Sequence, residues 1–316
     1  MWTASNDDHL IRSNLWSNQL KEVFEDELLG MKYVEMLTDF PDGDTFNIPS
    51  IGQAETNDYV ENQPVKYSAM DTGNFTFTIS QYKSSATYIT EKMKQDSYMA
   101  SRLIAKFVPS QHRALAVAME SKILSVGPDG QTSANLNQIN GASHRWVGSG
   151  TNEIMTVQDF AKANYALDKA NVPQSGRVAI VDPSVGYALQ TITNLTNLSN
   201  NPRWEGIVRD GATTGTKFLM NVYGFDVYIS NNLKVNTSSE TINGVTSAAG
   251  VNNLFFSADS MALPIVGAIR QAPKVDSSYN KDFQRDEYVT TCRYGFKLFR
   301  PENMVVVISD LSANLA

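Results

Sequence analysis

Phe75, Phe77 and Ile79 alternate with Thr76, Thr78 and Ser80, a period of two that puts the apolar side chains on one face of a strand. Just before them Val65, Tyr67 and Ala69 alternate with Lys66 and Ser68, and Asp71-Thr72-Gly73-Asn74 supplies turn chemistry between the runs. The pattern predicts a long β-hairpin within residues 50–85. A two-stranded hairpin is marginal in water unless something lies beneath its apolar face. This chain must therefore provide a domain for it or lay it across another subunit.

The flanking sequence has the periods of both a helix and a sheet. Leu10, Ile11, Leu15, Leu20, Val23, Phe24 and Leu28 predict an arm with helical pieces, closed by Phe40-Pro41-Asp42-Gly43-Asp44. Residues 91–126 form the strongest helical stretch. Tyr98, Met99, Leu103, Ile104 and Phe107 keep helical spacing, and Ala114, Leu115, Ala118, Met119, Ile123 and Leu124 resume it. Pro109 between them predicts a kink or two abutting helices, and Gly127-Pro128-Asp129-Gly130 a stop. Residues 130–152 read as a loop, Thr156 as the N-cap of a helix to about Ala170 with Asp159 at its third position, and Arg177–Val181 as a buried strand. A helix over 184–195, loops over 196–216 and 231–250, and strands at Phe225–Ile229 and Leu254–Phe256 follow. A short helix over 257–263 comes next, then strands at Arg293–Leu298 and Met304–Ile308.

Charge and polarity narrow the partners. Lys and Arg total 26 against 33 Asp and Glu, a formal charge of −7, which argues against a basic nucleic-acid binder. Charged residues are 19% of the chain, whereas Asn, Ser and Thr together supply one residue in four. Neutral polar groups are cheaper to bury against a partner than charges, provided they find hydrogen bonds. Residues 1–60 hold three basic residues (Arg12, Lys21, Lys32) against twelve acidic ones, and residues 270–300 hold seven basic against four acidic. An acidic front and a basic rear either attract each other, within or between copies, or are two ordinary solvated faces. The start of the chain lacks a secretory pattern and no run approaches a membrane span, so a soluble, intracellularly made protein is expected.

No catalytic, cofactor-binding or metal-binding residues are predicted. His9, His112 and His144 share no ligand spacing, and the lone Cys292 excludes a disulfide or a cysteine zinc site. Gly148-Ser149-Gly150 lacks the third glycine of a dinucleotide fingerprint, and Gly211-Ala-Thr-Thr-Gly215-Thr-Lys217 has the wrong spacing for a phosphate loop. Glu22, Glu25, Asp26 and Glu27 read as a solvated helix face. There is no nucleophile elbow.

From Thr156 the chain reads Thr-Val-Gln-Asp-Phe-Ala-Lys-Ala-Asn-Tyr-Ala-Leu-Asp-Lys-Ala-Asn-Val-Pro173, then Gly176-Arg-Val-Ala-Ile-Val-Asp-Pro183. This phrase, Phe255-Phe-Ser-Ala-Asp-Ser-Met-Ala262 and the closing Tyr294-Gly-Phe-Lys-Leu-Phe-Arg-Pro-Glu-Asn-Met-Val-Val-Val307 resemble stretches of the major capsid proteins of tailed bacteriophages. The similarity spans residue 40 to the end and looks closest to short-tailed, podovirus-like phages.

The resemblance implies an α+β, Hong-Kong-97-like capsid fold. Its parts would be an N-arm (1–44), an extended β-hairpin E-loop (45–88), a peripheral domain with a long spine helix (89–174), an axial α/β domain (175–265) and a return to the peripheral domain (266–316). It implies a non-enzymatic shell subunit, without cofactors or membrane contact, that self-assembles through hexamers and pentamers into an icosahedral head. The head would enclose double-stranded DNA without sequence-specific binding. A separate scaffolding protein, a portal protein and a decoration protein are the implied partners, with assembly in the host cytoplasm and residence in the virion capsid. Some members cross-link through an E-loop Lys; Lys66 and Lys83 lie near the hairpin, but cross-linking is not expected. The alternatives are an encapsulin-like compartment shell and a soluble hydrolase or carbohydrate-binding protein.

Overall fold

The computed structural model describes residues 28–38, 43, 45–51, 56–64, 72–96, 100–131, 138–191, 218–242, 245–247 and 250–310. In chain order these form β1 (Val34–Met36), β2 (Thr45–Ile51), β3 (Thr72–Thr78), β4 (Gln81–Thr90), α1 (Glu91–Asp96), α2 (Ala100–Gly130), β5 (Gln138–Ile139), β6 (Ala142–Ser143), β7 (Arg145–Val147) and α3 (Val157–Lys169). Then come β8 (Arg177–Val181), α4 (Pro183–Thr191), β9 (Phe218–Val222), β10 (Phe225–Ile229), β11 (Glu240–Ile242), β12 (Val245–Ser247), β13 (Gly250–Ser257), β14 (Ile265–Asn280), β15 (Arg285–Leu298) and β16 (Val305–Asp310).

Two sheets organise the molecule. A six-stranded sheet has the order β7-β16-β13-β8-β10-β9, and a four-stranded sheet the order β1-β14-β15-β4. The six-stranded sheet is covered on both faces, which is why its strands read as apolar runs rather than as alternation. Ala179, Val181, Phe255, Val305 and Val307 pack with Phe160, Ala163, Ala166 and Leu167 of α3 and Val185 and Leu189 of α4. Their neighbours Val178, Ile180, Leu254, Phe256 and Val306 face the other way, onto Leu115, Met119, Ile123 and Leu124 of α2. The same core takes Cys292, Tyr294 and Phe296 from β15 and Leu29, Tyr33 and Val34 from the arm. The helix α2 thus sits where both sheets and the arm meet.

The phrase at residues 156–183 has a clear local cause. Thr156 and Asp159 form a reciprocal capping box at the start of α3. At its end Asn171 adopts φ 57°, and Val172 N–H and Asn171 N–H donate to the carbonyls of Leu167 and Asp168. That is the Schellman arrangement, with Val172 and Leu167 sharing one core. Arg177, 2% exposed, then donates to Val172 O (3.1 Å), Pro173 O (3.3 Å) and Asp168 Oδ1 (2.6 Å), and also to Asn164 Oδ1.

Several expectations need correction. β2 and β3 pair antiparallel with Thr45 opposite Thr78 and Ile51 opposite Thr72, so Thr72–Asn74 belong to a strand and not to the turn. β4 leaves the hairpin and pairs with β15 along its whole length, so the predicted E-loop span to residue 88 mixes two sheets. Pro109 does not divide the helix. α2 runs 31 residues through it, about 46 Å at ~1.5 Å per residue, and the Gly127–Gly130 stop is its last turn. Pro109 is exposed, and the packing of Leu115, Met119, Ile123, Leu124 and Val126 further along α2 offsets the lost backbone bond.

The loop expected over 130–152 contains β7, whose residues are buried beside β16, and the one over 231–250 contains the β11–β12 pair. The short helix expected over 257–263 is a turn, in which Ala262 N–H donates to Asp259 O and Met261 N–H to Asp259 Oδ1. Residues 265–298 pair in the four-stranded sheet and 305–310 in the six-stranded one, so the span 266–316 contributes to both. The readings of residues 10–27, of the Val65–Ala69 strand and of the loop over 196–216 lie outside the described residues.

Candidate assembly surfaces

The arm is fastened to α2 by one carboxylate. Glu120, 1% exposed, accepts from Leu29 N–H at 2.8 Å and Gly30 N–H at 2.7 Å, where a 3-10 turn over Gly30–Tyr33 begins. Those two amides are donors that a helical turn cannot satisfy itself, and a charge is the strongest acceptor for them. Burial pushes the Tyr33 phenol above its ordinary pKa, with Tyr228 close by adding to the effect. From this turn β1 runs parallel to β14, Val34 opposite Ile265.

The hairpin base is fixed next. Phe77 and Ile79 are buried with Val266 and Ala268, on the face of the four-stranded sheet away from α2, and Phe46, Phe75 and Leu37 join them. Lys297 Nζ lies 4.8 Å from the Phe75 ring centroid and donates to Thr76 O at 2.7 Å. Arg270 donates to Gly43 O at 2.7 Å. On the opposite, exposed side, Thr45 meets Thr78 at 3.3 Å and Thr76 donates to Asn47 at 3.1 Å, a ladder of neutral hydroxyl and amide groups. Here the polar residues stay exposed. Others do not: Asn253 and Asn303 are buried and bind β16 and the 257–262 turn, as structural elements of the subunit itself.

The far end of the four-stranded sheet exposes aromatic rings. Tyr88, Tyr279 and Phe283 are exposed, and the Arg285 guanidinium stands 4.6 Å from the Tyr88 ring and 4.7 Å from Phe283. Two cations of the basic stretch 270–300 pair with carboxylates of the same stretch. Arg285 pairs with Glu287 at 2.7 Å and Lys274 with Asp276 at 3.0 Å. The Arg285 hydrogen bond, with one from Asn280, holds the Glu287 carboxyl below its usual range. At the C-terminal end of α2, Asp129 pairs with Lys122 (2.9 Å) and Lys234 (2.7 Å). Burial pushes its carboxyl up, but the two ammonium groups outweigh that and leave it below its ordinary value.

The chemistry-bearing residues of the sequence do not converge. His112 is on α2, whereas His144 is buried between β6 and β7 with Nδ1 3.3 Å from Ala142 O. Cys292 is buried, and burial pushes its thiol up. The Gly148-Ser149-Gly150 amides are committed to Ile308 O, Asp159 and Ile154 O, so they cannot cradle a phosphate. A Cβ on Gly148 or Gly150 would meet a backbone oxygen at 2.6 Å, which explains the glycines as packing requirements. Lys83 is exposed on β4. His9, Glu22, Glu25, Asp26, Glu27, Lys66 and the Gly211–Lys217 loop lie outside the described residues.

Sequence reasoning passed over four polar anchors: Gln111, Glu120, Arg145 and Arg177. Gln111 donates to Thr87 Oγ1 (2.7 Å) and Tyr288 O (3.1 Å) and accepts from Thr290 Oγ1 (2.7 Å), tying α2 to the sheet. Arg145, 2% exposed, donates to Gln131 O and to Glu240 Oε2, the latter at 2.5 Å. The signal for Glu120 was its place beside Met119 within the apolar stripe.

Asp159 gives a first prediction. It is 1% exposed and accepts from Thr156 N (2.8 Å), Ser149 Oγ (2.9 Å), Ser149 N (3.1 Å) and Trp146 Nε1 (3.2 Å). Asp159→Ala is expected to lower stability in a urea titration by about 2–4 kcal/mol, because several buried donors lose a charged acceptor together.

A family model described as phage capsid protein matches residues 74–307. The chain belongs to that family. The fold of this capsid protein recurs in a chain from Mycobacterium phage Che8, at 19% identity and TM-score 0.70, covering 95% of this chain and 97% of that one. It recurs in the capsid of Cyanophage P-SCSP1u, at 17% identity and TM-score 0.72, covering 98% and 95%. A third is the mature capsid of bacteriophage PhiM1, at 11% identity and TM-score 0.69, covering 98% and 95%. No curated protein sequence matches the chain. The architecture is Hong-Kong-97-like, with α2 as the long helix and β2–β3 as the hairpin. This phage capsid protein is a structural component of the head shell, resides in the virion capsid and assembles into capsid oligomers.

Proposed function

We propose that the chain is the major capsid protein of a short-tailed phage, building an icosahedral head from hexamers and pentamers around double-stranded DNA. The observation that carries this reading is the family match over residues 74–307. In this reading the N-arm ends near Met36, the E-loop is β2–β3 (45–78), α2 is the spine of a peripheral domain carrying the four-stranded sheet, and the six-stranded sheet with α3 and α4 is the axial domain.

A net charge of −7 suits a container that does not grip its DNA, since phosphate binding is driven by cationic side chains. The subunit has no catalytic role. A separate scaffolding protein, a portal and a decoration protein are its partners, and assembly takes place in the host cytoplasm. Sedimentation tests the reading: the expressed chain, alone or with the scaffolding product of a neighbouring gene, should form fast-sedimenting particles of uniform size. Monomers under both conditions would contradict it.

A further inference from the structure

The two edges of the four-stranded sheet are built differently. Along the β14 edge, β1 covers Ile265–Gly267, and beyond it the strand shifts register between Ile269 and Gln271 and between Gln271 and Lys274. Pro273, Arg270 and Lys274 stand on the same stretch. Bulges, proline and cationic side chains are the devices by which sheets discourage another strand from adding. β4 at the other edge has none of these except Lys83. It pairs with β15 without a register shift from Gln81 to Thr90, and among the described residues no strand pairs with its outer side.

The sequence of β4, Gln-Tyr-Lys-Ser-Ser-Ala-Thr-Tyr-Ile-Thr, is nearly symmetric about Ser85. Tyr82, Ser84, Ala86 and Tyr88 share the exposed face, whereas Gln81, Ser85, Thr87 and Ile89 turn toward the packed one. An antiparallel pairing of two β4 strands centred on Ser85 would set Tyr82 opposite Tyr88 of the second copy and Ser84 opposite Ala86. Lys83 would meet Thr87, so no like charges oppose each other. Cross-strand aromatic pairs stabilise such ladders, and the small residues at the centre let the strands approach. Arg285, already over Tyr88, would complete a stack at each end.

We infer that β4 is a self-complementary edge through which two copies of this chain join their four-stranded sheets about a two-fold axis. The choice of a second copy as occupant rests on the shell reading; the register rests on β4 alone. The test uses two full-length single variants, Ser84→Cys and Ala86→Cys, co-expressed and also expressed separately. Directly opposite residues have Cβ atoms about 4.5–5.5 Å apart and diagonal ones about 7–8 Å.

Disulfide-linked dimers are therefore expected from the co-expressed pair and not from either variant alone. A chain carrying both Ser84→Lys and Ala86→Lys should melt like the wild type yet lose the contact, because the lysines would face one another. Equal cross-linking in all three preparations, or none in the mixture, overturns the inference, whether read on particles or on the concentrated chain. Whether the wild type forms particles is scored separately by electron microscopy, and failure there counts against the shell reading rather than the edge.

Discussion

Phe255→Ala is expected to lower the unfolding free energy by about 3–5 kcal/mol, the range for emptying a fully buried aromatic site. Phe255 is 0% exposed on β13 and meets two rings edge to face, Phe160 at 5.1 Å and Phe225 at 5.3 Å. Its neighbours are fixed by backbone pairing to β8 and β16, so the sheet cannot close over the lost volume. The damage should fall on the α3 side. Phe256 points to the opposite face, where its ring lies 5.1 Å from Tyr33 of the arm. Hydrogen exchange should separate the two: Phe255→Ala exposes amides of α3, whereas Phe256→Ala exposes amides of the arm. Equal exposure of both regions by each variant would contradict the two-faced core.

Glu120→Ala is expected to cost about 2–5 kcal/mol and to release the arm. Leu29 N–H and Gly30 N–H lose a charged acceptor in a site closed to water, at about 1–3 kcal/mol for each orphaned group. Glu120→Gln should recover less than half, since its amide offers one acceptor where the carboxylate offers two. Gly30→Ala should resemble Glu120→Ala, because a Cβ there would stand 2.7 Å from Glu120 Oε2. Limited proteolysis reads the result: all three variants should be cut sooner near residue 30 while the six-stranded sheet stays resistant. An unchanged cutting rate in Glu120→Ala would show that the carboxylate does not hold the arm.

What was legible in the sequence follows from which forces are local. The capping box at Thr156, the strand at Arg177–Val181 and the strand at Phe225–Ile229 depend on spacing and nearby hydrogen bonds, and the residue order carries both. The helix across Pro109 was misread because burial of Leu115 to Val126 against two sheets outweighs a local rule. β4 was misassigned to the hairpin because alternation reveals a strand but not its partner, and that partner lies about two hundred residues further on, at Arg285–Tyr294. Neutral polar composition was read as shared surface. The Thr45–Thr78 ladder is indeed exposed, but Asn253 and Asn303 are buried ties within the subunit that no periodicity could reveal.

The capsid assignment is tested most directly by cryo-electron microscopy of the expressed chain with its scaffolding partner. The expected result is closed particles of icosahedral symmetry, whose wall shows α2 as a continuous rod and the β2–β3 hairpin reaching across an adjacent subunit. Density in which each hairpin folds back on its own subunit, or samples holding nothing larger than a dimer, would contradict it.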